Sequence, residues 1–410
     1  MNTTETIVIV GAGQAGSMVC ANLRQLGHEG PIVLIGAEGH HPYERPPLSK
    51  DALLNPDAVP TPILPPSYFD EHNIDYRVGA TVTAIDRGAK TVTLASGETL
   101  PYAHLVLCTG ASIRQLPLLD ALGTERVHTL RTLEDAHKLR NVLTPNRRVA
   151  LVGGGVIGLE LAASAKALGC GEVTVIEKGE GLMQRIAPAP ISDYLLAYHQ
   201  AQGVRFHFNA DLNSAALTPD GAVYLTLADG QTIEVDDVIY GIGVVPNVAL
   251  AEAAGLAIHH GIVIDHLQAQ TSDPFVYAAG DVATCFNAAE GSHSRRETWE
   301  NANLQAAKIA RAIMGLAQTD DQAAWFWTDQ YDLNIQFVGD MAAAKWVTRG
   351  KVDEHKFMLF GLDDAGVLVG AVAVNMGREI RFCRQLIAAK AVVDTQQLMD
   401  ETVKLKALCA

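Results

Sequence analysis

Apolar residues in this chain gather in short runs, "TIVIV" at 6–10, "PIVLIG" at 31–36, "RVALV" at 148–152 and "EVTVIE" at 172–177. The first and third pass directly into glycine-rich turns, each followed by a helix-length stretch and then by the second run of its pair. The pattern predicts one strand-turn-helix-strand unit used twice. A different period appears at 224–235, where "YLTLADGQTIEV" alternates apolar and polar positions around Asp229-Gly230. That alternation predicts a strand-turn-strand.

The turns read "GAGQAG" at 11–16 and "GGGVIG" at 153–158, which place Gly11, Gly13 and Gly16 in one copy and Gly153, Gly155 and Gly158 in the other. Dinucleotide binding imposes this spacing. The first glycine makes the tight turn, the second admits a pyrophosphate close to the backbone, and the third packs helix on strand. The helix N-terminus then faces the phosphates. A carboxylate about 20 residues on takes a ribose hydroxyl; Glu38 lies 22 residues past Gly16, and Glu177 lies 19 past Gly158. Two sites in one chain point to two dinucleotides. A carboxylate at 177 accepts from a 2'-hydroxyl and repels a 2'-phosphate, which favours NADH over NADPH.

A length of 410 residues suggests two or three domains. The opening "MNTTETIVIV" has no positively charged leader, and the apolar stretch 149–169 is interrupted by Glu160 and Lys166, so a cytoplasmic protein without a membrane span is expected. Six scattered cysteines without CxxC spacing indicate neither a disulfide framework nor a zinc site, and the fourteen histidines fall at no metal-ligand spacing. A formal charge of -15 disfavours nucleic acid as a partner.

The stretches "GAGQAG", "RPPLSK", "LVLCTGA", "LRTLEDA", "GGGVIGLELA", "GIGVVPN", "TSDPFVYAAGDVA", "ETWENA" and "WFWTDQ" resemble, from end to end, the NADH-dependent, FAD-containing ferredoxin reductases of bacterial oxygenase systems, a branch of the glutathione reductase superfamily. The resemblance implies an α/β fold: two Rossmann-like dinucleotide-binding domains of the glutathione reductase type plus a C-terminal α+β domain. It divides the chain into an FAD-binding domain at 1–112 and 248–322, an NADH-binding domain at 113–247, and a C-terminal domain at 323–410.

By the same resemblance, FAD contacts fall to Gly11, Gly13, Gln14, Ala15, Gly16, Ala37, Glu38, Arg45, Pro46, Lys50, Val82, Cys108, Thr109, Gly110, Arg131, Asp281, Thr298, Trp299, Ala302 and Trp327. NADH contacts fall to Gly153, Gly155, Val156, Ile157, Gly158, Glu160, Glu177, Arg185, Gly241, Ile242 and Gly243. Ala37 stands where relatives carry aspartate, which leaves the ribose to Glu38. Lys50 resembles the lysine near flavin N5 and Glu160 its carboxylate partner, the pair assigned to catalysis. Each also has an ordinary reading: a solvated lysine, and a carboxylate at the positive end of a helix. Asp281 resembles the aspartate on the flavin ribityl chain, with a helix N-cap as the alternative. Beside Arg131, Thr132 and Asp135 form a capping-box pattern.

Disulfide reductases of this superfamily pass electrons from flavin to an adjacent cysteine pair, and its NADH oxidases and peroxidases use a single cysteine there. Here "YERPPLSK", Tyr43 to Lys50, holds none, so electrons leave for an external acceptor. The resemblance makes that acceptor a [2Fe-2S] ferredoxin feeding an aromatic-ring dioxygenase or haem monooxygenase. A rubredoxin remains an alternative, as does an NADH-sensing protein like apoptosis-inducing factor. Arg295, Arg296, Lys308 and Arg311 are the candidate cationic docking group for an acidic ferredoxin.

Overall fold

The computed structural model describes residues 4–288, 290–319 and 322–409. The chain forms two compact units, one from Met1–Glu44, Pro60–Ser112 and Val244–Asp321, the other from Arg45–Val59, Ile113–Gly243 and Gln322–Ala410.

In the first unit a parallel sheet runs in the order Val276–Ala278, His104–Leu107, Ile7–Val10, Ile32–Gly36, Ile74–Val78. Ile7 pairs with Ile32 on one side and His104 on the other. Helices Gln14–Gln25 and Trp299–Ile313 pack against each other. Ile7, Val8 and Ile9 are all fully buried, which explains a continuous apolar run instead of an alternating one. Strands Val82–Asp86, Thr91–Leu94 and Thr99–Pro101 form a small antiparallel sheet.

The second unit repeats the parallel sheet in the order Val204–His207, Glu172–Ile176, Arg148–Val152, Asp237–Tyr240, Val127–His128. The expected strand-turn-strand is present as Val223–Leu227 and Thr232–Val235, with Gly230 at φ +87° in the turn. A preceding strand, Leu212–Leu217, completes a three-stranded sheet. Its Val223, Leu225 and Leu227 share a core with Ala150, Val152, Ile176, Val238 and Tyr240.

The C-terminal part of this unit is an antiparallel sheet in the order Trp325–Gln330, Leu333–Gly339, Leu368–Val374, Lys356–Leu362, Lys345–Lys351. Both its faces are covered. Ile335, Phe337, Phe357, Leu359, Val372 and Val374 pack with Leu159, Ile191 and Leu195, while Met358, Phe360, Ala371 and Ala373 pack with Ile380, Cys383 and Leu386. "KFMLFGL" and "LVGAVAV" therefore lose the period-two alternation of a sheet with one wet face. This is the expected α/β fold with its C-terminal α+β part. No described helix is long and apolar enough to cross a membrane.

The two glycine turns obey one steric rule. Gly11 has φ +109°, and a Cβ there would stand 2.1 Å from the Cys108 carbonyl oxygen. Gly153 has φ +114°, and its Cβ would stand 2.5 Å from the Gly241 carbonyl oxygen. In each copy the third glycine is blocked by the first, since Cβ atoms at Gly16 and Gly158 would lie 2.0 Å from the oxygens of Gly11 and Gly153. At Gly13 and Gly155 nothing lies within 4 Å of the Cβ position.

Gly11→Ala should therefore cost about 1–3 kcal/mol of stability through overpacking, whereas Gly13→Ala should fall within about 0.5 kcal/mol of the parent. Urea denaturation of both variants checks the contrast; equal losses would contradict it. Burial also holds His28, His104 and His199 below the usual imidazole range, with desolvation the largest cause in each. The unfolded chain then binds more protons than the folded one, so stability is full above about pH 6.5 and falls below it. Replacing the buried His28 by Phe should flatten the fall between pH 6.5 and 5 in a denaturation series.

Candidate functional site

The two helices that follow the glycine turns, Gln14–Gln25 and Val156–Ala167, start on Gly13 and Gly155 and carry no side-chain cap. Thr132 and Asp135 form a full capping box on Leu133–Val142 and Thr298 accepts from Asn301 N on Trp299–Ile313, while helix Ala189–Ala201, like the two glycine-turn helices, has no side-chain cap. Uncapped first-turn amides and an open Cβ position at the middle glycine fit the pyrophosphate of a dinucleotide in each unit.

Around the first turn, Gln14 Nε2 donates to Asn303 Oδ1 at 3.0 Å, and Ala15 and Ala302 are buried. Cys108, Thr109 and Gly110 lie on the strand end whose carbonyl abuts Gly11; Thr109 Oγ1 donates to the Asn247 carbonyl at 2.8 Å and Asn247 Nδ2 returns to the Thr109 carbonyl at 2.8 Å. Burial pushes the Cys108 thiol up to about 12, which leaves it protonated and suited to packing, not to nucleophilic chemistry. Glu38 Oε2 accepts from Tyr43 Oη at 2.5 Å, and Ala37 is exposed beside it. Val82 is buried on the small antiparallel sheet. Asp281 lies inside the short turn Gly280–Val282, not at its N-cap, so capping does not account for it. Its carbonyl accepts from Arg295 Nη1 at 3.3 Å. Trp299 opens the helix that Thr298 caps.

In the second unit Glu177 accepts from Gly154 N through Oε2 and from Gly179 N through Oε1, both at 2.6 Å. The carboxylate is thereby clamped at the mouth of the glycine turn. Lys178, its neighbour, turns to Asp211 at 3.0 Å. Ile157 is exposed at the first turn of the helix and Val156 half-buried. Gly241, Ile242 and Gly243 follow strand Asp237–Tyr240, at the end facing Gly153. Arg185 is exposed on the loop before helix Ala189–Ala201.

The segment Arg45–Val59 belongs to the second unit, and it brings Lys50 to Glu160. Pro46 opens a short helical turn, Pro46–Ser49, held by packing on helices Leu133–Val142 and Val156–Ala167. Arg45 Nη1 donates to the Arg131 carbonyl at 2.5 Å. Lys50 Nζ donates to Glu160 Oε1 at 3.0 Å and to Asp329 Oδ2 at 3.5 Å. Glu160 is 3% exposed, and it also accepts from Thr328 Oγ1 at 2.7 Å and from Ser49 Oγ. Trp327 stacks on Trp325 with centroids 5.0 Å apart and donates through Nε1 to Asp329 Oδ2 at 3.1 Å.

Lys50 and Glu160 are thus a real pair, and the plain alternatives, a solvated lysine and a helix-end carboxylate, do not describe them. Sequence reasoning passed over Ser49, Thr328 and Asp329. Strand alternation through "WFWTDQ" carried the signal: Trp325, Trp327 and Asp329 fall on one face, Phe326, Thr328 and Gln330 on the other. The cations named for docking also make local contacts. Arg295 pairs with Glu297 at 2.5 Å, Lys308 donates to the His266 carbonyl at 2.9 Å, and Arg311 to the Ala317 carbonyl at 2.6 Å. Arg295 has a carboxylate partner, whereas the carbonyl bonds of Lys308 and Arg311 leave their charge in place.

Comparison with known proteins follows the same lines. Residues 5–306 match the pyridine nucleotide-disulphide oxidoreductase family, and residues 325–409 match the reductase C-terminal family. Over 389 residues, 95% of this chain and 98% of the relative, the chain is 48% identical to the 3-phenylpropionate/cinnamic acid dioxygenase ferredoxin--NAD(+) reductase component of Photorhabdus laumondii subsp. laumondii. Among solved structures it is similar to the reductase for the CYP199A2 system from Rhodopseudomonas palustris, at a TM-score of 0.93 and 38% identity over 99% of this chain and 100% of that one. It is also similar to the covalent putidaredoxin reductase-putidaredoxin complex, at a TM-score of 0.92 and 34% identity over 98% of each chain. Matched through both its glycine turns and nearly its whole length, the chain belongs to the pyridine nucleotide-disulphide oxidoreductase family.

Proposed function

We propose that this protein is a cytoplasmic NADH:ferredoxin oxidoreductase, which takes hydride from NADH and passes single electrons to a [2Fe-2S] ferredoxin serving an oxygenase. The observation that carries the reading is the pair of uncapped glycine cradles in a chain whose Tyr43–Lys50 segment holds a lysine and no cysteine. The Photorhabdus relative is named as such a reductase component, for a dioxygenase. We assign FAD to 1–112 with 248–322, NADH to 113–247, and a supporting role to 323–410.

Bound FAD supplies the chemistry that links a two-electron donor to one-electron acceptors. The protein's own residues bind and tune. Gly11, Gly13 and Gly16 admit the FAD pyrophosphate, Glu38 its ribose, and Asp281 its ribityl chain. Gly153, Gly155 and Gly158 do the same for NADH. Glu177, clamped by two backbone amides, keeps acceptor capacity for a 2'-hydroxyl and opposes a 2'-phosphate. Lys178, the neighbouring cation, faces Asp211 in an exposed pair that offsets only part of its pull on a phosphate.

Lys50 sets charge at the flavin. One cation at ~4 Å and an effective dielectric of about 20 contributes about 4 kcal/mol, a ceiling near ~90 mV for a two-electron couple. Here the ammonium faces two carboxylates, Glu160 and Asp329, so most of that field is cancelled and tens of millivolts remain.

An anaerobic titration followed by visible absorbance tests the reading: about one NADH per flavin should bleach the flavin band, and NADPH should bleach it far more slowly. Absence of copurified flavin, or equal use of both nicotinamides, would sink it. Lys50→Met should lower the flavin potential by roughly tens of millivolts and slow reduction by NADH, as read by spectroelectrochemistry and stopped flow; no change in either would remove Lys50 from the flavin.

A further inference from the structure

Behind Glu160 lies a line of buried polar side chains that reduction of a flavin does not by itself call for. Thr328 and His199 are fully buried, and Gln330 is 1% exposed. Thr328 Oγ1 contacts Glu160 Oε1 at 2.7 Å, Gln330 Nε2 contacts Thr328 Oγ1 at 3.1 Å, His199 Nε2 contacts Gln330 Oε1 at 2.8 Å, and Tyr331 Oη contacts His199 Nδ1 at 3.2 Å. Burying this many polar groups is unfavourable unless each is satisfied, and here each is.

The direction of the line follows from its acid end. An ionised carboxylate only accepts, so Thr328 donates to Glu160. That leaves the Thr328 oxygen to accept from the Gln330 amide nitrogen, and the Gln330 amide oxygen to accept from His199 Nε2–H. His199 Nδ1 must then accept from the Tyr331 hydroxyl. Each assignment forces the next, and every donor points toward Glu160.

Two further observations give the line a purpose. Tyr331 sits at φ +56°, a backbone region that a bulky side chain rarely adopts and that persists where the surroundings hold it; at that hairpin tip its hydroxyl reaches His199. Gln330, moreover, is an amide, and an amide passes a proton only through an unfavourable imidic tautomer. The line transmits orientation, not protons.

We propose that Thr328, Gln330 and His199 are positioning residues for the Lys50–Glu160 pair, a one-directional hydrogen-bond chain anchored at Tyr331 that fixes Glu160 as an acceptor and so fixes the ammonium of Lys50. Burial keeps His199 neutral, in the state the chain requires. The functional consequence rests on the reading that Lys50 acts on the flavin.

The test is a double-mutant cycle on the flavin potential of the holoenzyme, with thermal melting as a folding control. Thr328→Val should change the equilibrium constant for flavin reduction by about three- to tenfold, or ~15–30 mV for a two-electron couple, and Thr328→Ser should restore it. In a Lys50→Met background the Thr328→Val shift should vanish. A shift of equal size in both backgrounds, or none in the parent, would overturn the proposal. If Lys50→Met alone moved nothing, the assignment of Lys50 to the flavin would fall, taking this role with it. The chain's direction is read independently: 15N-histidine spectra should show His199 as the neutral Nε2–H tautomer, mixed once Gln330→Leu removes its acceptor. An Nδ1–H tautomer in the parent would reverse the chain and overturn it.

Discussion

A carboxylate that is almost entirely withdrawn from water has to be surrounded by donors, and Glu160 collects them from two distant parts of the sequence. Ser49 and Lys50 come from the short turn after Pro46, Thr328 comes from the first strand of the C-terminal sheet, and the glutamate itself stands in the first turns of the helix after Gly155. Leaving one such charge without partners would cost several kcal/mol. The second unit is therefore specified by satisfaction of one acid as well as by apolar packing. Ser164, one turn further along the helix, donates to the Ser49 carbonyl at 2.6 Å and ties the same segment down a second time.

The two glycine cradles share their sterics and differ in how they hold their acids. In both, a carbonyl from a neighbouring strand end closes on the first glycine, from Cys108 in one and Gly241 in the other, so a side chain is excluded by the same contact. The acids diverge. Glu38 is held by a phenol, Tyr43, while Glu177 is held by two backbone amides of its own loop. Two backbone amides leave the Glu177 carboxylate less freedom to move than a side-chain phenol leaves Glu38.

The thiols are consistent with electrons leaving the protein. Cys20, Cys108, Cys170 and Cys383 are buried and form no disulfide, and burial raises the pKa of each. Such groups pack as small hydrophobes and are poor nucleophiles at neutral pH. The family name records a disulphide chemistry that this chain's own cysteines are not arranged to perform.

The sequence alone determined the parts whose constraints are local. A glycine whose Cβ would strike a carbonyl, an apolar run covered on both faces, and an Asp-Gly turn between alternating strands each leave their mark within a few residues, and so the two cradles and the fold class were legible from it. Resemblance extended that to Lys50 and Glu160. Only the tertiary structure decided what surrounds them: Thr328 and Asp329 lie some 280 residues beyond Lys50, and His199 sits on a helix with no motif of its own. Hydrogen bonding between residues far apart in the chain leaves no period and no spacing to read, because it depends on which strand is laid against which helix, and that is settled by packing.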